Sequence, residues 1–144
     1  MKILLPVDGS EGSLEAVRHA LRLVRGGLHA SVVLANVQEP ASLYEMVVAH
    51  DAAVIEQVTE AAAAHALAPA QALLVAAGVA FETEIGHGDP GNVIVEIAER
   101  VGADLIVLGA RGQEANESGA LGSTAEAVLR HAAAAVITVK RGVL

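Results

Sequence analysis

The segment DLIVLG (residues 104–109) is aliphatic at every position between its opening aspartate and its closing glycine. A continuous apolar run of this length is typical of a strand that is covered on both faces, as the central strands of parallel sheets are. KILLPV (2–7) and SVVLANV (31–37) are similar short apolar runs. Three buried strands of this kind need helices above and below them, which places the chain in the α/β class.

Segments with helical periodicity follow these strands and supply that cover. Apolar residues recur at helical spacing from Leu14 to Val24 and from Val93 to Val101. Residues 42–77 are alanine-rich, which predicts one long helix or two helices broken near Pro69. A further helix is predicted over about 123–132. The strands and helices therefore alternate along the chain.

Two more strands complete the predicted sheet. VAFETEI (79–85) alternates apolar and polar residues, as a half-exposed or edge strand does, and AVITVK (135–140) is the last strand. Right-handed crossovers then give one domain, residues 1–144, with a doubly wound five-stranded parallel sheet. Ligands of such sheets bind beyond the carboxyl ends of the strands, where the strand order reverses. If the first and fourth strands are neighbours, the loops that follow them share one crevice.

The charge and hydropathy of the chain exclude several classes of partner. The net charge is −8, from 9 Lys and Arg against 17 Asp and Glu, and no basic cluster offsets it. The chain therefore lacks the positive electrostatic field that attracts a nucleic acid backbone, and with one Phe and one Tyr it lacks an aromatic surface on which bases could stack. The most apolar stretch, 66–81, is shorter than the ~20 residues of a spanning helix, and the N-terminal apolar run is too short for a signal peptide. We expect a cytoplasmic protein that inserts into no membrane.

The segment GHGDPG (86–91) matches the dinucleotide-binding pattern G-x-G-x-x-G by letter. That pattern needs bare N–H groups at the start of a helix to meet a diphosphate. Here Asp89 would bring a negative charge to that position and Pro90 would remove one N–H. We therefore predict that Asp89 is a helix N-cap and that Pro90 is the first helical residue.

The glycine-rich segment GARGQEANESGALGST (109–124) is a stronger candidate for a binding loop. Gly109 follows a strand directly, Gly112 comes three residues later, and after nine further residues Gly122 and Ser123 open a helix. A helix N-terminus presents free N–H groups and a partial positive charge, which suits phosphate. No lysine follows the glycine as in a Walker A loop, so the main chain would hold the phosphates, with Arg111 as the nearby cation.

Asp8 ends the first strand at the edge where the predicted crevice opens. Its carboxylate can accept hydrogen bonds from a ribose or from an adenine amino group. The local sequence DGSEG is equally consistent with an Asx turn or a helix cap. Both alternatives remain open at this point.

Motifs for other chemistry are not found. The six histidines show no metal-ligand spacing and no G-x-S-x-G nucleophile elbow occurs, so we expect no metal site and no serine hydrolase. A phosphoryl-transfer enzyme would need a positioned base, a lysine and carboxylates for Mg²⁺. The glycine-rich segment offers the hydroxyls of Ser118 and Ser123 but no base to activate them. We expect no enzyme, or at most weak ATP hydrolysis or autophosphorylation.

Taken together, ILLPVDGSEGS, DLIVLGARG, GSTAEAVL and the terminal VITVK resemble the universal stress protein family over essentially the whole chain. The spacing G-x2-G-x9-G-[S/T] is typical of the branch of that family that binds ATP. The resemblance implies the strand order 3-2-1-4-5, which makes the first and fourth strands neighbours. It also implies a homodimer, formed through the last strand, that binds ATP or AMP with or without Mg²⁺ and acts through an unidentified protein partner.

The resemblance also implies which residues hold the nucleotide. The adenine and ribose would be lined by Pro6, Val7, Asp8 and Val37. The turn round the ribose and phosphates would be made by Leu108, Gly109, Arg111 and Gly112. The phosphate tail would be held by Gly122, Ser123 and Thr124.

One departure and two alternatives qualify this prediction. Glu114 and Glu117 lie in the loop without a cation, and each would disfavour a nearby triphosphate by about 1 kcal/mol. They would then face solvent, lie near Mg²⁺, or favour AMP or a less charged ligand. The first alternative function is an interaction module of the same fold that binds no nucleotide. The second is an adenylating enzyme, which the segment DGSEGS disfavours because such enzymes carry S-G-G-x-D-S there.

Overall fold

Five strands and four helices alternate in a computed structural model of the chain, which describes residues 1–39, 52–111 and 121–140. The strands are β1 (Lys2–Pro6), β2 (Ser31–Gln38), β3 (Phe81–His87), β4 (Leu105–Gly109) and β5 (Ala135–Val139). The helices are α1 (Glu11–Arg25), α2 (Ala52–Ala76), α3 (Pro90–Val101) and α4 (Ser123–His131). The predicted alternation is confirmed.

All strand pairs are parallel, and the sheet order is β3-β2-β1-β4-β5. The predicted doubly wound sheet and its order are therefore confirmed. In the centre, Leu4 pairs with Val33 of β2 and with Ile106 of β4. The strand order reverses between β1 and β4, so the loops after these two strands flank one crevice.

The core is aliphatic and divides into two layers, one on each face of the sheet. Helices α1 and α2 cover one face, where the most deeply buried side chains include Ile3, Leu5, Val17, Leu34, Leu74 and Val107. Helices α3 and α4 cover the other, with Leu4, Val33, Ile97, Ile106 and Val128. Alternate residues of β1 and β4 enter opposite layers, which explains why both strands are apolar throughout.

Helix α2 continues through Pro69 without a break, so of the two alternatives predicted for residues 42–77 the break near Pro69 is absent from the described residues. Pro69 removes the donor for the carbonyl of His65, but both residues are exposed and water can reach that carbonyl. By length and composition alone, Ala53–Ala76 could cross a membrane. The most apolar 18 residues within it have a mean hydropathy of 1.2, and 28% of that stretch is buried. The sequence analysis did not identify this helix as long enough to span a membrane, because it took residues 66–81 as the most apolar stretch. Ala63, Leu67, Ala70 and Leu74 recur at helical spacing and are at most 2% exposed, so one side of α2 packs into the core.

Strand β3 begins two residues later than predicted because the end of α2 uses the preceding residues. Gly78 has φ +70°, and the N–H of Val79 donates to the carbonyl of Leu74 at 3.0 Å. These features are those of a glycine C-cap, which ties Val79 to the helix. The burial of β3 does not follow the apolar and polar alternation of its sequence, since Phe81 and Glu84 are half-buried and Ile85 is 45% exposed, but the strand is a half-exposed edge strand as predicted.

The two edges of the sheet differ in character. Strand β3 forms one edge, as predicted, and carries Glu82 and Glu84, the second of which pairs with Arg100 of α3 at 2.9 Å. Strand β5 forms the other edge and is apolar except for Thr138. One edge is therefore acidic and the other is apolar.

Candidate functional site

The candidate site is the crevice at the carboxyl ends of β1 and β4. Val7 and Asp8 leave β1 there, and Gly109, Ala110 and Arg111 leave β4. Helix α1 follows β1 on one face of the sheet and α4 follows β4 on the other face. The segments that follow β1 and β4 therefore leave the same edge of the sheet towards opposite faces.

The turn between β1 and α1 is fixed by short polar contacts. The carboxylate Oδ1 of Asp8 accepts a hydrogen bond from the N–H of Ser10 at 2.9 Å, which is an Asx turn. The Oγ of Ser10 accepts from the N–H of Ser13 at 3.2 Å and so caps α1. The N–H of Asp8 donates to the Oγ of Ser13 at 3.4 Å. The Asx turn, one of the two alternatives that the sequence left open at Asp8, is present, and it follows β1 at the edge of the crevice.

Asn36 is a residue of this site that the sequence analysis did not select. Its side chain is 2% exposed, and its Nδ2 donates to the carbonyl of Val7 at 2.8 Å. Its Oδ1 accepts from the Nε2 of Gln38 at 2.6 Å. The available signal was a single amide within the apolar run SVVLANV, which apolar burial alone does not explain.

The end of β4 needs glycine because α1 lies directly on it. A Cβ on Gly109 would lie 2.8 Å from the carbonyl carbon and oxygen of Gly12, and a Cβ on Gly12 would lie 2.5 Å from the carbonyl oxygen of Arg111. Main chain therefore meets main chain at this point. The sequence analysis assigned Gly109 to a ligand, and packing against α1 is the close approach that the described residues account for.

The N-terminus of α4 lies at the same edge and has no side-chain cap. Its N-cap is Gly122, with no side-chain hydrogen bond, whereas Ser10 caps α1 and Asp89 caps α3. The N–H of Gly122 donates to the carbonyl of Ala110 at 2.8 Å, which ties the helix start to the end of β4. Ser123 is exposed and Thr124 is half-buried. The first N–H groups of α4 are thus presented beside the crevice with a partial positive charge.

Two charged side chains, Arg111 and Glu126, lie near this end of the crevice. Arg111 is half-buried where the chain leaves β4. Glu126 lies in the first turn of α4, and its carboxylate pairs with Arg130 one turn further along at 2.8 Å. This ion pair directs the Glu126 charge away from the helix start.

Three apolar residues of the predicted site, Leu108, Val37 and Pro6, lie on the face of the sheet that α3 and α4 cover. Leu108 is 3% exposed within that layer, and Val37 is half-buried against it. Pro6 is half-buried at the end of β1. On the opposite face, Val7 is 4% exposed in the layer of α1 and α2. The side chains of Val7 and Leu108 belong to the core, so a ligand would meet these two residues through their main chain.

The main chain of Val37 is directed towards the crevice. In a parallel strand, the N–H and C=O of alternate residues point to the same neighbouring strand. The carbonyl of Ala35 accepts from the N–H of Val7 at 2.8 Å, so the main chain of Val37, two residues on, also points to the β1 side. The paired register with β1 ends at Pro6 and Ala35. Val37 therefore presents a donor and an acceptor side by side beyond the end of β1.

The GHGDPG segment has structural reasons for each of its glycines. A Cβ on Gly86 would lie 2.5 Å from Val93, Gly88 has φ +130°, and a Cβ on Gly91 would lie 2.6 Å from the Cβ of Ala127. The carboxylate of Asp89 accepts from the N–H of Asn92 at 3.3 Å, and Pro90 opens α3. The prediction of a capped helix start is confirmed.

Several residues selected from the sequence lie outside the described part of the chain. They are Gly112, Glu114, Glu117 and Ser118. Within residues 1–39, 52–111 and 121–140, no group of three or more His, Asp or Glu side chains is placed to hold a metal ion.

The chain is similar to proteins of one family along nearly its whole length. The model of the universal stress protein family matches residues 1–140. Universal stress protein MJ0531 of Methanocaldococcus jannaschii is 34% identical over 140 residues, which are 97% of this chain and 82% of that protein.

Solved structures of similar fold include ligand complexes. The structure of hypothetical protein MJ0577 superposes with a TM-score of 0.82 at 28% identity, covering 99% of this chain and 97% of that one. A universal stress protein family protein from Arabidopsis thaliana with AMP bound gives 0.74 at 25% identity, covering 99% and 92%. A universal stress protein in complex with cAMP gives 0.71 at 28%, covering 96% of each chain.

Proposed function

The chain belongs to the universal stress protein family, and from that premise we propose that its crevice binds an adenine nucleotide, ATP or AMP. The observation that carries the proposal is the N-terminus of α4, which has a glycine N-cap and is tied by its first N–H to the end of β4. Similar proteins with AMP and with cAMP bound support the same ligand class. The nucleotide would serve as a signal in a stress response and not as a substrate.

The phosphate end of the ligand would lie on α4. Ser123 and Thr124 would offer their N–H groups, Ser123 would add a hydroxyl donor, and Gly122, whose N–H is bonded to Ala110, would leave room for the phosphates beside the main chain. Arg111 would supply positive charge, and the main chain of Gly109 and Gly112 would border the phosphates. Mg²⁺ would accompany a triphosphate, and titrations with and without Mg²⁺ separate that case from AMP.

The base end of the ligand would lie between Val37 and the end of β1. The N–H and C=O of Val37 match the N1 acceptor and the 6-amino donor of adenine. Guanine has the opposite polarity, with a donor at N1 and an acceptor at position 6. Asp8 would accept from the ribose hydroxyls, and Pro6, with the main chain of Val7 and Leu108, would line the wall.

We therefore expect this protein to bind ATP about 10- to 100-fold more tightly than GTP, because a mismatched pair of hydrogen bonds costs about 1–3 kcal/mol. Calorimetric titration of ligand-stripped protein with ATP, AMP and GTP measures this ratio. Equal affinities for ATP and GTP would contradict the base contacts at Val37. No heat with any nucleotide would overturn the proposed function and favour the interaction module.

We further propose that the protein is a cytoplasmic homodimer joined through β5, whose outer edge is apolar and short. The carbonyl of Val139 accepts from the N–H of Ala110. The odd-numbered residues of β5 therefore direct their N–H and C=O groups towards β4, and the even-numbered residues direct theirs towards the outer edge. Thr138→Pro removes one outward N–H and leaves the ladder with β4 intact.

Thr138→Pro is expected to convert the dimer to a folded monomer, as measured by analytical ultracentrifugation with circular dichroism as the check on folding. Thr138→Val is the matched control, because it keeps the N–H and should stay dimeric. A Thr138→Pro protein that remains dimeric would place the interface elsewhere.

A further inference from the structure

The residues that the structure describes contain two buried polar side chains, Ser13 at 5% exposure and Asn36 at 2%. They come from different elements, since Ser13 lies in α1 and Asn36 in β2. The layer around them is otherwise aliphatic. Burying an amide and a hydroxyl in such surroundings is unfavourable unless each is hydrogen-bonded, so their bonding partners show what they are for.

Both side chains bind the same peptide group. The Nδ2 of Asn36 donates to the carbonyl of Val7 at 2.8 Å, and the Oγ of Ser13 accepts from the N–H of Asp8 at 3.4 Å. These are the C=O and the N–H of the Val7–Asp8 peptide bond. That peptide is therefore held at both ends by side chains from two other elements, at the point where β1 opens into the crevice.

The remaining bonding capacity of the two side chains is also used locally. The Oδ1 of Asn36 accepts from Gln38, and the hydroxyl of Ser13 donates to the carbonyl of Ser10 at 2.9 Å. Ser10 in turn donates its N–H to the Asp8 carboxylate. The orientation of that carboxylate is thus set by the turn, and the turn is anchored to β2 through the Val7–Asp8 peptide.

We propose that Asn36 and Ser13 form a peptide clamp that positions the Asp8 carboxylate to receive the ribose hydroxyls of the nucleotide. This inference rests on the proposed function and assigns two positioning residues to that site. A carboxylate held in place before binding loses little freedom when the ligand arrives, which strengthens binding. The clamp acts on the ribose end only, since the phosphate end lies on α4.

The clamp predicts that Asn36→Leu, which keeps the branched shape of the side chain but removes its donor and its acceptor, weakens ATP binding about 10-fold. Binding of inorganic tripolyphosphate, which has no ribose, should change less than about 2-fold. In an Asp8→Ala background, Asn36→Leu should have no further effect on ATP, because the group that it positions is gone. Ser13→Ala should show the same pattern with a smaller loss.

A control variant separates the clamp from general destabilisation. Leu74→Ala removes a fully buried side chain near the end of α2 that precedes β3, at the opposite end of the strands from the crevice. It should lower stability at least as much as Asn36→Leu, with ATP affinity within about 2-fold of wild type. Hydrogen exchange of the Asp8 amide, measured without nucleotide, should be at least about 10-fold faster in Asn36→Leu than in wild type. In Leu74→Ala the same amide should exchange more slowly than in Asn36→Leu.

The outcomes distinguish the two levels of the argument. If wild type binds no nucleotide, the proposed function is overturned, and with it the role of the clamp in binding. Two results with a wild type that binds ATP would overturn the clamp alone. One is that Asn36→Leu weakens ATP binding equally in the wild-type and Asp8→Ala backgrounds. The other is that Asn36→Leu weakens tripolyphosphate binding as much as ATP binding. An Asp8 amide whose exchange is the same in wild type and Asn36→Leu would also overturn it, whichever nucleotide binds.

Discussion

Replacing Gly109 with valine is expected to lower the free energy of unfolding by about 3 kcal/mol, the upper end of the range for forced overpacking. An added Cβ would lie 2.8 Å from the carbonyl carbon and oxygen of Gly12 and 3.3 Å from the amide nitrogen of Ser13. All three are main-chain atoms, so no side chain can rotate aside. The first turn of α1 must move away from the sheet, and the Asp8 turn must move with it.

Gly78→Ala provides the comparison for this effect, because it changes the backbone without a clash. Gly78 has φ +70° and nothing within 4 Å of an added Cβ, so alanine there should cost about 1 kcal/mol from the left-handed backbone alone. Gly109 is not among the positive-φ glycines of the described residues, so its loss is steric. Urea unfolding of both variants measures the difference. A Gly109→Val protein within 1 kcal/mol of wild type would contradict the contact with α1.

Replacing Gly122 with aspartate is expected to change stability and ligand binding in opposite directions. Gly122 has φ −65° and ψ 158°, an extended conformation that any residue adopts, and an N-cap aspartate bonds to the helix that follows. Stability should rise by about 0.5 kcal/mol from the cap and the helix dipole. ATP binding should fall at least about 100-fold, since like charges 4 Å apart near a protein surface repel by about 4 kcal/mol.

Two controls assign the loss of binding to the position of the charge. Ala72→Asp places the same charge on an exposed face of α2 and should leave ATP affinity within about 2-fold of wild type. Gly122→Ser caps the helix without a charge and should weaken ATP far less than aspartate does. Calorimetry gives the affinities and thermal unfolding gives the stabilities. An ATP affinity unchanged in Gly122→Asp would show that the phosphates do not lie at α4.

The architecture could be predicted from local patterns because each strand and helix carries its own periodicity. The apolar runs of β1, β2 and β4 identified the buried strands, and Asp89 with Pro90 identified the start of α3. The strand order came from the family resemblance, since apolar runs do not say which strands are neighbours. The start of β3 was predicted two residues too early, because the N–H of Val79 bonds to the carbonyl of Leu74 in the C-cap at Gly78 and Val79 therefore belongs to the end of α2.

The site was less predictable because its contacts join distant parts of the chain. Gly109 was assigned from the sequence to the ligand, whereas the contact that requires glycine there is with Gly12, which precedes it by 97 positions and has no sequence feature that links the two. Asn36 was missed because its partner, the carbonyl of Val7, is a main-chain group that every residue possesses. Side-chain chemistry can be inferred from sequence, whereas main-chain partners need the fold.

The unequal edges of the sheet limit how many copies can share it. Two β3 edges brought together would set the carboxylates of Glu82 and Glu84 from one copy against the same pair from another, and like charges across strands are unfavourable. Pairing of two copies through their β3 edges is therefore disfavoured. If two β5 edges meet as proposed, the joined sheet ends in a β3 strand on both sides, and the same repulsion would then oppose the addition of further copies and the growth of fibres.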